Sequence, residues 1–139
     1  MTVPRRTVRM IAGHLHNACC MWIKMLGKRH GIRVPASVSR HTVTRRELVP
    51  ALKRSTRSIA ELLELGTRHG GSIPASAVAW LNLPSDVAHV FAYLVAHEGH
   101  HRGQIVMLAR QAGHRLPLDV SAGLWQWSKR AREAAARRG

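Results

Sequence analysis

His97-Glu98-Gly99-His100-His101-Arg102-Gly103-Gln104-Ile105 lies inside a run, residues 85–112, that reads as one long helix. The apolar residues of that run are Val87, Val90, Phe91, Leu94, Ile105, Leu108, Ala109 and Ala112. They recur at the three-and-four spacing of a buried stripe. At about 100° per residue, His101 and Glu98 fall near the middle of the stripe, His97 at its edge and His100 on the opposite, wet side. His97 and His101 stand one turn apart on one face and can aim both imidazoles at a single point. Neutral imidazole is a common ligand for zinc, nickel, copper and iron. Burying such groups without partners costs roughly 1–3 kcal/mol each. A shared cation would satisfy the imidazoles, and a hydrogen bond to a ligand or a pocket water would suit Glu98. The alternative is a hydrogen-bonded His/Glu cluster without metal.

Outward from this helix the chain reads as all-α. Residues 4–29 carry Val8, Ile11, Ala12, Leu15, Ala18, Cys19, Trp22, Met25 and Leu26, a helix with a broad apolar face that closes near Gly27 or Gly31. A loop, residues 30–43, contains Pro35. Thr44-Arg45-Arg46-Glu47 is a capping box, with Val43 and Leu48 as its hydrophobic staple. Leu48, Leu52, Ile59, Leu62 and Leu63 are the expected buried side of that second helix, and Pro50 is expected to kink it or shift its start. Residues 66–84, including Trp80, form a long connection; the third helix starts at Ser85 or Asp86 and stops at Gly113. Residues 120–138 are helix-prone and end in a basic tail. No alternating strand pattern is present, so the expected architecture is a bundle of about four helices.

The 139 residues suit one domain, 1–139, with a basic helix and tail from about residue 120. The formal net charge is +15, from 22 Lys plus Arg against seven acids. That balance favours anionic partners, either nucleic acid or a small anion. The arginines are spread out, clustering near Arg5, Arg6 and Arg9 and again towards Arg138. No aromatic residues interleave with them as a base-stacking platform would require, which argues for a solvated surface over a nucleic-acid interface. Cys19 and Cys20 are adjacent, a poor geometry for a disulfide, and read as small buried fillers. No run approaches the roughly 18 apolar residues of a membrane span, and no signal peptide is evident. A reduced, cytoplasmic location is expected.

Two histidines rarely hold a catalytic metal alone. The first helix offers His14 and His16 on different sides. Its polar side centres on Arg6, Arg9, Asn17, Lys24 and Lys28, and His16 lies nearer to it. His14 lines up with Met10, Met21 and Met25, which favours it as the inward one; a satisfied core histidine is the competing reading. His30, His41, His69, His89 and His114 read as surface residues.

His97-Glu98-Gly99-His100-His101 also matches the five-residue zinc-protease pattern. The longer form of that pattern needs Gly at 104 and His at 107, where this chain has Gln104 and Met107. The better resemblance is to the DinB/YfiT-like family of metal-binding four-helix bundles. Residues 96–105, running on through 108–114, are similar to that family's last bundle helix. Gly13-His14-Leu15-His16-Asn17 with Trp22 downstream resembles its earlier ligand helix, and Gly123-Leu124-Trp125-Gln126-Trp127 its C-terminal signature.

The resemblance implies an up-down four-helix bundle. It implies a divalent metal, zinc or nickel, held by His14, His97 and His101. It further implies a metal-dependent enzyme acting on a small-molecule substrate, a thiol-dependent S-transferase or isomerase, or a hydrolase. A low-molecular-weight thiol would be the co-substrate, Glu98 the catalytic carboxylate and Arg102 a substrate-binding residue. Family members usually carry a further helix before the early ligand helix, whereas this chain begins almost at that helix. Either that helix is absent, or the basic C-terminal helix takes its place, or a second subunit does so in a homodimer. The competing classes are a non-catalytic basic module that binds nucleic acid and a degenerate metal-binding relative.

Overall fold

The structure is a computed structural model that describes residues 6–74 and 85–136, the side chain of Leu124 excepted. Pro4, Arg5, Trp80 and Arg138, which figure in the expectations above, lie outside the described residues. Five α-helices make up the described chain: α1 (Val8–Trp22), α2 (Arg45–Arg68), α3 (Val87–Gln111), α4 (Leu118–Ser121) and α5 (Trp127–Ala136). The described residues contain no strand, only an isolated antiparallel bridge between Ser72 and Asp86. The fold is all-α, as expected. Two compact units divide between Ile105 and Val106, within α3. No helix among the described residues is long and apolar enough to cross a membrane.

In the first unit, Thr7 caps α1 by accepting the Met10 N–H on its hydroxyl at 3.2 Å. The helix continues through a π turn, Ile23–Gly27, and a 3-10 turn, Lys28–His30. It closes at Gly31, whose φ of +80° only glycine adopts without strain. The Ile32 N–H then returns to the Gly27 carbonyl at 3.2 Å. From Val8 to His30 the apolar run thus forms one path that changes its winding at Ile23.

The capping box forms as read. Thr44 Oγ1 accepts from the Glu47 N–H at 3.3 Å, and Glu47 Oε2 accepts from the Thr44 N–H at 2.8 Å. Those bonds hold the Glu47 carboxyl below its ordinary range. The cap fixes the start of α2, and the helix runs on through Pro50. Val43 and Leu48, the two staple residues, are both buried. At the far end Gly66 sits where helix and chain meet closely: a Cβ there would collide with Val87 and stand 2.9 Å from Ile73.

The core draws on all three long helices and the chain between them: Cys19, Trp22, Ile23, Leu26, Ile32, Leu62, Leu65, Ile73, Val90 and Leu94. The buried line of α2 differs from the expected one. It runs through Leu48, Ala51, Ser55, Ser58, Leu62 and Leu65, while Leu52, Ile59 and Leu63 are only partly buried. Two serines occupy the stripe because each hydrogen-bonds across it, Ser55 to His16 and Ser58 to the Arg33 carbonyl. A reading that follows large aliphatic residues passes over them. On α3 the line Val90, Leu94 and His101 is buried. Phe91 and Glu98, expected in the stripe, are exposed, because α1 and α2 cover one line of α3 and the line carrying Phe91 and Val95 lies outside it.

In the second unit α3 ends at Gly113 (φ +81°), with the His114 N–H returned to the Ala109 carbonyl at 2.8 Å. The helix-prone segment 120–138 is broken: α4 and α5 flank a 3-10 turn, Gly123–Trp125. Gly123 lowers helix propensity at the break. Neither α4 nor α5 has a buried residue among those described. Trp125 and Trp127 are exposed and meet edge to face with ring centroids 6.1 Å apart.

Candidate metal centre

His14 and His16 are separated by what covers α1. Residues 31–43 lie across α1, and Gly13 permits the approach: a Cβ there would stand 3.3 Å from the Arg40 side chain and 3.4 Å from its Cα. Asn17 pins this segment by clamping the Val38 backbone. Its amide donates to the Val38 carbonyl at 2.9 Å, and its oxygen accepts the Val38 N–H at 2.9 Å. Arg9 adds a bond to the His41 carbonyl at 3.1 Å.

His16 is fully buried beneath this segment. It donates from Nε2 to the Ala36 carbonyl at 2.8 Å, and its Nδ1 meets the Ser55 hydroxyl at 3.0 Å. The expectation that His16 faces the wet side of α1 is therefore wrong. At His16 and Asn17 that side is covered by residues 31–43 and α2, to which both bond, whereas Arg6, Arg9, Lys24 and Lys28 on the same side are exposed. His16 is a structural pin and His14 is the open one.

His14 reaches α3. Its Nε2 stands 3.3 Å from Nε2 of His97. The rings of His14 and His101 have centroids 4.7 Å apart, and those of His97 and His101 stand 4.6 Å apart. One ligand nitrogen from each of His14, His97 and His101 lies within 4.8 Å of the others. Two imidazoles bound to one tetrahedral zinc at about 2.0–2.1 Å stand roughly 3.3 Å apart, so the His14–His97 separation already suits a shared cation. His101 is buried; His14 and His97 are partly buried.

The surroundings prepare these rings as neutral donors. Burial, then the neighbouring imidazoles His101 and His97, then Arg40 and Arg6 hold the His14 pKa below its ordinary value. Burial and His101 lower that of His97, against an opposing pull from the Glu98 carboxylate. Both rings therefore carry free lone pairs at neutral pH. His101 donates from Nδ1 to Gln104 Oε1 at 2.7 Å, which leaves its Nε2 bare. The same Gln104 amide donates onward to His100 at 3.1 Å. His97 stacks on Tyr93 at 5.8 Å between centroids, and Tyr93 packs edge-on to Trp22 at 5.2 Å.

Beside the trio lies a cavity of about 250 Å³, lined among the described residues by Arg6, Met10, Ile11, His14, Arg40 and His101. Glu98 is exposed on α3, close enough to act electrostatically on His97 and Cys19. Arg102 is exposed and is not among the described lining residues. His30, His41, His69, His89 and His114 are exposed, as expected. Sequence reasoning missed Gln104, Tyr93, Arg6 and Arg40. The spacing of Gln104 from His101 and of Tyr93 from His97 carried a signal, since residues three or four apart on a helix meet. Arg40 gave none, because its place depends on how residues 31–43 cross α1.

An all-α fold with three histidines from its first and third helices converging at a cavity defines a helical bundle with a site able to hold a metal ion. Compared with known protein families, residues 4–132 match the DinB family, and the chain belongs to it. No curated protein and no solved structure matches the chain.

Proposed function

We propose that this protein is a divalent-metal-dependent enzyme acting on a small molecule. S-transfer or isomerisation with a low-molecular-weight thiol is the favoured chemistry, and hydrolysis is the variant available from the same parts. One observation carries the reading: three imidazoles with lone pairs to share lie within 4.8 Å of one another beside an open cavity. The donor set fits a metal of the zinc or nickel kind, being all imidazole nitrogen and drawn from two helices. Bound there, the ion would supply Lewis acidity and lower the pKa of a thiol or water brought to it.

The remaining roles belong to the chain. His14, His97 and His101 hold the cation, and Gln104 fixes the ring of His101 through Nδ1. Tyr93 fixes the plane of His97 by stacking on it. Glu98 takes the role of accepting a proton or orienting a ligand, which the pull of its carboxylate on His97 supports. Arg102, next to His101 and exposed, is assigned to the outer part of an anionic substrate. The free cysteines Cys19 and Cys20 support a reducing, cytoplasmic location. The exposed apolar side chains Phe91 and Val95 support a homodimer.

Elemental analysis of protein purified without an affinity tag, followed by a thermal-shift screen against small thiols, tests the proposal. Metal content near one per chain is expected, with metal-dependent thiol transfer lost in His14→Ala, His97→Ala and His101→Ala. Protein that takes up neither zinc nor nickel would instead be a degenerate relative. The formal charge of +15 favours a second reading, a basic module that docks on nucleic acid. Binding to DNA that falls steeply with salt and survives His97→Ala would establish that one.

A further inference from the structure

The cavity beside the trio has a feature that the three histidines do not explain. Two guanidinium groups, Arg6 from the chain before α1 and Arg40 from residues 31–43, line it together with His14 and His101. No carboxylate is among the described lining residues. The ion pairs found among the described residues are Arg68–Glu64, His89–Asp86 and Arg130–Glu133, so neither Arg6 nor Arg40 is in one. The backbone that carries Arg40 is held against α1 by specific contacts: the Asn17 clamp on Val38, the close pass over Gly13, and the Ala36 carbonyl bonded to His16. Both arginines are exposed and neither is in an ion pair with a described residue; side by side at the cavity they repel each other and any metal that binds there. An anion between them would relieve that repulsion more than the screening solvent does.

We infer that Arg6 and Arg40 form an anion subsite of the metal centre, which takes the carboxylate or phosphate of a small ligand whose other end reaches the histidine trio. This deepens the proposed function and rests on it for the metal-directed end of the ligand. Guanidinium groups recognise carboxylate and phosphate through paired charge-assisted hydrogen bonds. The volume, about 250 Å³, is near the lower limit of small-molecule sites and sets the ligand class as a compact anion. Anion and cation are thermodynamically coupled: each offsets the repulsion that the other meets, so each tightens binding of the other. Arg6 and Arg40 bind the substrate, whereas Asn17 and Gly13 are positioning residues that act through Arg40.

The test uses isothermal titration of the full chain, loaded with zinc, with mercaptoacetate and with 2-mercaptoethanol as its uncharged counterpart. The wild type is expected to bind mercaptoacetate at least about tenfold more tightly, and Arg6→Gln/Arg40→Gln to lose that preference. A control double variant, Lys24→Gln/Lys28→Gln, lowers the net charge equally at exposed positions of the same unit, ten and fourteen residues on from His14 and outside the cavity lining, and should keep the preference. Equal loss in both variants, or preference retained in Arg6→Gln/Arg40→Gln, overturns the subsite. Acetate and inorganic phosphate titrated into metal-free protein distinguish a carboxylate from a phosphate ligand. They also separate the two readings: anion binding that depends on Arg6 and Arg40 in protein unable to take up zinc would sink the metal centre and leave the subsite standing. Zinc uptake with no anion effect would do the reverse.

Discussion

Exchanging each of two histidines only two positions apart for alanine should give opposite phenotypes. His16→Ala removes a fully buried ring that bonds the Ala36 carbonyl at 2.8 Å and meets the Ser55 hydroxyl at 3.0 Å. A buried polar partner left unsatisfied costs about 1–3 kcal/mol. Ser55 keeps a second acceptor, the Leu52 carbonyl at 3.1 Å, which reduces its share. With the cavity left by the ring, the loss comes to roughly 2–4 kcal/mol. For a chain of this size that is a fall in Tm on the order of 10 °C. His14→Ala removes a partly exposed ring that bonds no backbone group among the described residues, and should change the metal-free stability by less than about 1 kcal/mol. Zinc at a hundredfold excess over Kd stabilises a binding-competent fold by about 2.7 kcal/mol. That increment should be present in the wild type, absent in His14→Ala, and retained by His16→Ala in whatever fraction stays folded. Urea unfolding followed by circular dichroism, with and without zinc, measures all three. A stable His16→Ala protein that no longer responds to zinc, beside an unstable His14→Ala protein that does, would show the two roles to be assigned the wrong way round.

Three further expectations follow from the same geometry. Gln104→Leu removes the acceptor for His101 Nδ1–H and should weaken zinc affinity by about 10–100-fold, read by competition with a chromogenic chelator, while leaving the fold intact. The pKa values of His14 and His97 are lowered in the fold, so the unfolded chain binds more protons at mildly acidic pH. The metal-free protein should therefore keep its full stability above about pH 6.5 and lose it as pH falls below that towards the depressed folded values, a slope that His14→Ala reduces in thermal melts. Cys19 is buried and its thiol is pushed up to about 11, first by burial and then by the Glu98 carboxylate; it should resist alkylation at pH 8 in the native protein and react once urea unfolds it.

Much of this protein is local in origin, and that part is legible in the chain. The spacing of His97 and His101 fixes two imidazoles on one helical face whatever packs against it. The capping box at Thr44 and Glu47 starts α2 by itself, and the glycines at 31 and 113 end helices because their φ angles suit few other residues. Helical periodicity misplaces His16 and Asn17 and passes over Ser55 and Ser58, because their partners are distant in sequence. Asn17, Ser55, Ser58 and His16 look like solvent-facing residues by type, yet each is bonded to a backbone or side-chain group more than 20 positions away. Phe91 was misread for the opposite reason: its periodicity fits a stripe, but burial depends on a neighbour being present to cover it.

The sequence alone determined the helical class and two of the three converging imidazoles, because helix periodicity and capping act within a few residues. Tertiary structure decided the rest: which histidine of α1 meets them, and that Arg6 and Arg40 share their cavity. Those are properties of how residues 31–43 lie across α1, a contact between segments that local propensity does not encode.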